Sequence, residues 1–544
     1  MGGAEYNTDT VRYLWLLPLL LLPSALADTY PRQPGIDVQH YSFHLSLSDE
    51  TDEIVGEASV TLRLLQPGVT EFALDLASPA NGKGMTVSEV ALSSIPASSA
   101  STPLHFTHTD NRLTIAIPPM PRDLRTVVIR YRGIPNGGLR IGPNKYSERT
   151  FFTDNWPNQA RQWLPTIDHP YDKATSEFFI TAPAHYLVVA NGLLQDETDL
   201  GDRRRLTHWK QSVPIASWLN AIAVAPLVCR HFGTAAGVPL ETCVYRQDRE
   251  NGIVSFDAPT RNAVEFFSSH IGPYPYEKLA GVEVANLDGG AEHATVIFYG
   301  EKFVTDHPAT NVVAHEIAHH WFGCSVTEKD WDDVWLSEGF ATYFTLLYTE
   351  HYDGRDAFVA GLIKSRESIF SLQERLPGVA IIHENLSDMK KITNRIIYEK
   401  GAWTLHMLRG QIGTDRFWTA IREYYRRYRD ANASTADFQR VAEETAGMDL
   451  AWFFQQWLRR PGTPVIAGSW KYNSQSHVIE IDLAQTQPGD VYRLPLEIGF
   501  SGRIEKIELA QRRQHYTITA ETEPLDVKLD PNTWVLMQAQ FVRQ

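Results

Sequence analysis

A chain of 544 residues exceeds what one hydrophobic core holds and fits about three domains. Hydrophobic residues at 43% and charged residues at 21%, with 14 Trp, 22 Tyr and 24 Phe, exclude a largely disordered chain. The net charge of -15 argues against sequence-independent nucleic-acid binding, which needs clustered Lys and Arg, and the one basic run, Arg203 to Arg205, reads as a solvated turn.

The first predicted element is a leader over residues 1–27. Arg12 precedes the apolar run from Tyr13 to Leu22, and Ala25 and Ala27 form a small-residue cleavage site before Asp28. The run is too short for a stable bilayer span of about 20 residues, and Pro18 interrupts it. A misassigned start upstream or an uncleaved anchor is the alternative, because Glu5 and Asp9 offset Arg12. No later segment is apolar enough to cross a membrane, so the expected location is periplasmic or secreted.

From about Val38 to Phe232 the chain alternates apolar and polar residues in short segments, among them Tyr41 to Ser48, Glu57 to Leu65, Arg125 to Gly133 and Glu177 to Pro183. Period-two alternation broken by Gly, Pro, Asn and Asp predicts half-buried antiparallel strands, hence an N-terminal antiparallel β-domain over 28–232. Cys229 and Cys243 flank a strand-turn-strand stretch that can bring them together, and the sequence leaves open whether they are bridged. Cys324 reads as a small buried hydrophobe.

Over 233–460 the period becomes helical, with segments ending at or near Gly272, Gly323, Gly354 and Gly447. Alternation returns over 461–544, at His477 to Gln485 and Arg493 to Phe500, and predicts a small C-terminal β-sandwich. The expected fold class is therefore multidomain α+β.

The sharpest chemical signal is His315-Glu316-Ile317-Ala318-His319 within a helical segment. Two His four residues apart lie about 40° apart on a helix, so both imidazoles reach one cation, and Glu316 reaches a water beside it. Catalytic zinc usually takes a third protein ligand and keeps one open position. Eighteen residues separate His319 from Glu338, which opens another helical segment, and a helix pair returns it to the two histidines. One catalytic Zn2+ held by His315, His319 and Glu338 is the cofactor expected.

The block from His315 to Phe344 resembles the alanyl-aminopeptidase type of gluzincin zinc peptidases, which includes leukotriene hydrolase. Similarity extends to Trp163 through Pro170 (W-x-P-x-x-D-x-P), to Tyr398 through Ala402 (Y-x-K-G-A) and to Gly289 through His293, where the family carries G-x-M-E-N. The resemblance implies a thermolysin-like, mainly helical catalytic domain. It implies Glu316 as general base, Tyr398 as hydrogen-bond donor to the tetrahedral intermediate, Glu292 as partner of the substrate's free amine, and Gly289, Gly290, Ala291, Glu292 and His293 as the substrate-binding segment. Partners implied are peptides with a free N-terminus.

Departures from the family pattern are specific. Ala291 stands for Met and His293 for Asn, the latter expected as a neutral ring rather than a cation. The family's second amine-recognising position falls at Trp156, which cannot accept a hydrogen bond, so Asp154 or Asn155 is a candidate substitute. No C-terminal helical cap domain is expected, which implies an open cleft unless a dimer partner covers it. The alternatives to an aminopeptidase are a zinc endopeptidase or other zinc hydrolase on the same fold, and a non-catalytic binding protein, which would have no need of Glu316.

Overall fold

The computed structural model describes residues 28–93, 101–119, 123–382, 386, 388–389, 392 and 394–544. The expected leader lies outside the described residues. Among those described, no helix is long and apolar enough to cross a membrane.

The N-terminal region is built on an eight-stranded sheet in the order Leu193–Gly201, Arg204–Ala216, Lys173–Pro183, Ile36–Ser46, Ile54–Leu64, Leu124–Ile134, Gly84–Leu92, Thr102–Pro103. Alternate residues of Lys173–Pro183 and of Ile54–Leu64 are buried, the pattern of strands with one covered face. One pair departs from the antiparallel expectation: Ile36–Ser46 runs parallel to Lys173–Pro183, with His40 opposite Thr175 and Ser46 opposite Thr181. Alternation records which face is buried and carries no information about strand direction. A four-stranded and a three-stranded sheet complete the region around a core that includes Phe43, Trp163 and Phe178. The Arg203 turn joins the outermost hairpin, where Asp202 and Arg203 both take positive φ.

Leu227–Ala235 crosses the expected boundary at 232. It pairs with Val238–Tyr245, and the two open the five-stranded sheet that continues through Leu279–Val284 and Val296–Gly300 to the short edge strand Gly290–Ala291. Cys229 and Cys243 sit opposite each other on this hairpin and are joined by a disulfide.

Among the described residues this region holds seven long helices: α1 (Ala258–His270), α2 (Thr310–His319), α3 (Trp335–Asp353), α4 (Arg355–Arg375), α5 (Arg395–Ile412), α6 (Thr414–Tyr428) and α7 (Thr435–Ala446). All four glycines anticipated as helix stops have positive φ, and Gly447 caps its helix in the left-handed conformation. The C-terminal region is two packed sheets. Four strands run in the order Arg513–Thr519, Val478–Gln485, Val465–Asn473, Gln538–Arg543, and three in the order Arg503–Leu509, Leu494–Phe500, Val527–Leu529.

Candidate metal centre and active site

Helix α2 buries Val313, Ala314, Ile317 and Ala318 on one side, which turns His315 and His319 together along another. Their Nε2 atoms are 3.2 Å apart. Glu338, in the first turn of α3, brings Oε2 to 3.3 Å from His319 Nε2 and 3.6 Å from His315 Nε2. A tetrahedral ion bound at about 2.0–2.1 Å requires donor atoms about 3.3 Å apart, so these three present most of a zinc coordination shell as the side chains stand. His319 Nδ1 lies 3.0 Å from Ser337 Oγ and 3.3 Å from the Phe322 carbonyl. Those acceptors select the tautomer with the proton on Nδ1 and leave Nε2 free for a metal. The turn that makes this possible passes through Gly323 at φ 116°, where a Cβ would collide with Ser337 Oγ.

Electrostatics agree with the donor set. Burial opposes charge on His319, but the Glu292 and Glu338 carboxylates outweigh it and push the imidazole up to about 10. Burial likewise opposes charge on Glu338, and the two imidazoles outweigh it and lower its carboxyl to about 2. A buried cluster this rich in carboxylate favours a cation.

Glu316 is 6% exposed, and the edge strand Gly290–Ala291 passes directly over it: a Cβ at Gly290 would overlap the Glu316 carboxyl. Glycine lets the strand run there without displacing the Glu316 carboxyl. Burial, reinforced by the Glu292 carboxylate, raises Glu316 well above the usual carboxylate range, the direction that suits a group exchanging protons near neutrality. Glu292 itself stands with Oε1 4.0 Å from His319 Nδ1, and burial raises its carboxyl as well.

Helix α5 delivers Tyr398, whose hydroxyl donates to Glu338 Oε1 at 2.8 Å. Helices α3 and α5 can approach this closely because two glycines meet where they cross, with a Cβ on either Gly339 or Gly401 falling 3.0 Å from the other's Cα. Burial and the Glu338 carboxylate keep the phenol protonated, and therefore a donor, through the physiological range.

The structure thus gathers Glu316, Tyr398, His315, His319, Glu338, Glu292 and the Gly289 to Ala291 edge around one point. His293 falls elsewhere. Its ring is 2% exposed, stands edge-on to Phe298 at 4.9 Å, and is pushed by burial down to about 4. It is a neutral ring, as expected, but it offers no surface to the cleft and supports the strand from behind.

Neither candidate substitute for the second amine position is free. Asn155 is fully buried, donates to the Asn220 carbonyl at 2.7 Å and accepts from Trp163 Nε1 at 2.9 Å; Asp154 is paired with Arg140. Trp156 packs edge-to-face with Trp218 and Trp331. Within the W-x-P-x-x-D-x-P segment, Asp168 accepts from the Arg161 backbone and guanidinium, and nearby Lys173 donates to the Cys324 and Ser325 carbonyls beside the metal helix. Sequence reasoning missed Ser337 and the Gly339–Gly401 crossing, and read Gly323 only as a helix stop. A glycine inside each of the Glu338 and Tyr398 helical segments, Gly339 and Gly401, was the available signal.

Comparison with known proteins places this arrangement. The profile described as "Peptidase family M1 domain" matches residues 257–457, and "Peptidase M1 N-terminal domain" matches 37–219. This chain belongs to peptidase family M1. Among its relatives, the M1 chain is 27% identical over 370 residues to glutamyl aminopeptidase of Mus musculus, covering 65% of this chain and 38% of that one. It is 29% identical over 360 residues to aminopeptidase A of Gloydius brevicauda, covering 62% and 38%. The chain spans under two fifths of the length of these two curated relatives. The M1 zinc metallopeptidase structure from Deinococcus radiodurans shares the fold, with a TM-score of 0.64 at 24% identity over 78% of this chain and 94% of that one.

Proposed function

We propose that this M1 chain is a zinc-dependent aminopeptidase that removes the first residue from peptides with a free N-terminus. The observation that carries the reading is a carboxylate, Glu292, set beside a three-donor metal centre at the end of an open strand edge. Bound there, zinc supplies Lewis acidity toward the scissile carbonyl and toward water. An extended peptide adds along Gly289 to Ala291 with its ammonium against Glu292, which limits the reach from amine to metal to one residue. Glu316, under that strand, takes a proton from the attacking water and returns it to the departing amine. The Tyr398 hydroxyl turns from Glu338 to the developing oxyanion, the point where a fixed donor lowers the barrier most. The relatives named glutamyl aminopeptidase support the exopeptidase assignment.

Comparing one peptide with a free amine and with an N-acetyl cap tests the assignment. A preference of about tenfold or more for the free amine is expected from one charge-assisted contact; equal cleavage would remove the aminopeptidase reading. A zinc endopeptidase is the second reading, favoured by the occupied side chains of Asp154 and Asn155 and by Trp156 packed edge-to-face between Trp218 and Trp331, which leave Glu292 as the main amine partner. We further propose that the chain is exported. Support comes from the leader-like residues 1–27 and from the Cys229–Cys243 disulfide, which persists in oxidising compartments.

A further inference from the structure

Cys324 follows the turn that ends the metal helix and is fully buried. Its backbone N–H donates to the His319 carbonyl at 3.0 Å. Its carbonyl accepts from Lys173 Nζ at 3.2 Å and from Thr327 Oγ1 at 2.8 Å. Its thiol donates to the Glu292 carbonyl at 3.0 Å. One residue therefore ties together the metal-ligand helix, a lysine of the N-terminal region and the amine-binding segment.

The contact to Glu292 falls where the sheet stops holding that segment. Gly290 pairs with Tyr299 and Ala291 with Phe298, and the pairing goes no further. His293 O already serves a separate turn through Val296 N–H. The carbonyl between them, that of Glu292, is taken by the thiol. The Glu292 carboxylate stands 4.0 Å from His319, beyond hydrogen-bond distance, so its aim depends on how its backbone is held.

We propose, resting on the aminopeptidase reading, that Cys324 is a positioning residue: its S–H fixes the Glu292 backbone, so that the carboxylate meets the substrate ammonium at a set distance from the metal ligands. Lys173, clamping the Cys324 and Ser325 carbonyls from the N-terminal region, holds the loop that carries the thiol.

The test uses zinc-quantified full-length protein and one chromogenic aminoacyl substrate, with and without an N-acetyl cap. Cys324→Val fills the thiol's space without a donor, Cys324→Ala removes both, and Cys324→Ser keeps a donor. Both Val and Ala should raise KM for the free-amine substrate about fivefold, the effect of one lost hydrogen bond. Zinc content and cleavage of the capped substrate should not change, and Ser should recover most of the loss. Wild-type KM in Val and Ala, an equal loss on both substrates, or a Ser variant no better than Val would each overturn the role of the thiol while leaving the enzyme's free-amine preference in place. Equal cleavage of both substrates by the wild-type protein would remove the aminopeptidase reading and the positioning role together.

Discussion

Gly339→Ala perturbs the site without touching a ligand. The added Cβ would lie 3.0 Å from Gly401 Cα and 3.1 Å from Gly401 C, against about 3.5–4.0 Å for a relaxed carbon contact, so α3 and α5 must separate by roughly half an ångström. Overpacking of this kind costs about 1–3 kcal/mol, and the better helix propensity of Ala returns about 1 kcal/mol. The expected net loss is about 1 kcal/mol, a few degrees or less in melting temperature for a chain this long. Function should suffer more. Glu338 precedes Gly339 on α3, and Tyr398 lies one turn before Gly401 on α5, with their hydrogen bond at 2.8 Å. Displacing the hydroxyl by roughly half an ångström forfeits much of its transition-state contact, so kcat should fall about tenfold with KM and zinc content nearly unchanged. Thermal melting and steady-state kinetics on the same preparation check both halves. Wild-type kcat in Gly339→Ala would refute the claim that the glycine crossing sets the hydroxyl's position.

Other expectations follow from single contacts. Tyr398→Phe should lower kcat about 100- to 1000-fold while zinc remains bound, since it deletes a donor to the oxyanion and no metal ligand. Ser337→Ala removes one acceptor from His319 Nδ1 and should weaken zinc affinity about tenfold, measured by competition with a chelator. Glu328 is 1% exposed, neither of its carboxylate oxygens has a hydrogen-bond partner among the described residues, and burial pushes it up to about 8. Between its ordinary value of 4.5 and about 8 the folded chain holds a proton that the unfolded chain has released, so this stabilisation is full below 4.5 and is lost as pH rises through 8. Glu328→Gln should therefore gain melting temperature over wild type progressively from about pH 5 to pH 8.5, and a constant difference across that range would contradict the assignment.

Local periodicity was enough to read much of this architecture. Alternation located Ile54–Leu64 and Leu124–Ile134 to within a few residues, and the four-residue histidine spacing put His315 and His319 on one side of α2. Glu338 was accessible because it opens a second helix after a turn. Relations between distant segments were not legible in the same way. The parallel pairing of Ile36–Ser46 with Lys173–Pro183 joins strands more than a hundred residues apart and leaves the alternation of both unchanged. The Cys229–Cys243 bridge depends on hairpin register, which composition does not fix. Cys324 looks like a core hydrophobe in one dimension, and only the approach of the Glu292 carbonyl shows that its thiol has a partner. His293 illustrates the opposite case: its place in a binding motif suggested contact with substrate, while the chain beyond the Gly290–Ala291 edge turns its ring inward against Phe298.

The central claim is tested most directly by metal stoichiometry and affinity in Glu338→Ala beside the wild-type protein, both stripped of metal and titrated with zinc. One tightly bound ion per wild-type chain is predicted, with affinity in the variant falling by orders of magnitude and activity falling with it. Stoichiometric zinc held at wild-type affinity without the Glu338 carboxylate would contradict the site described.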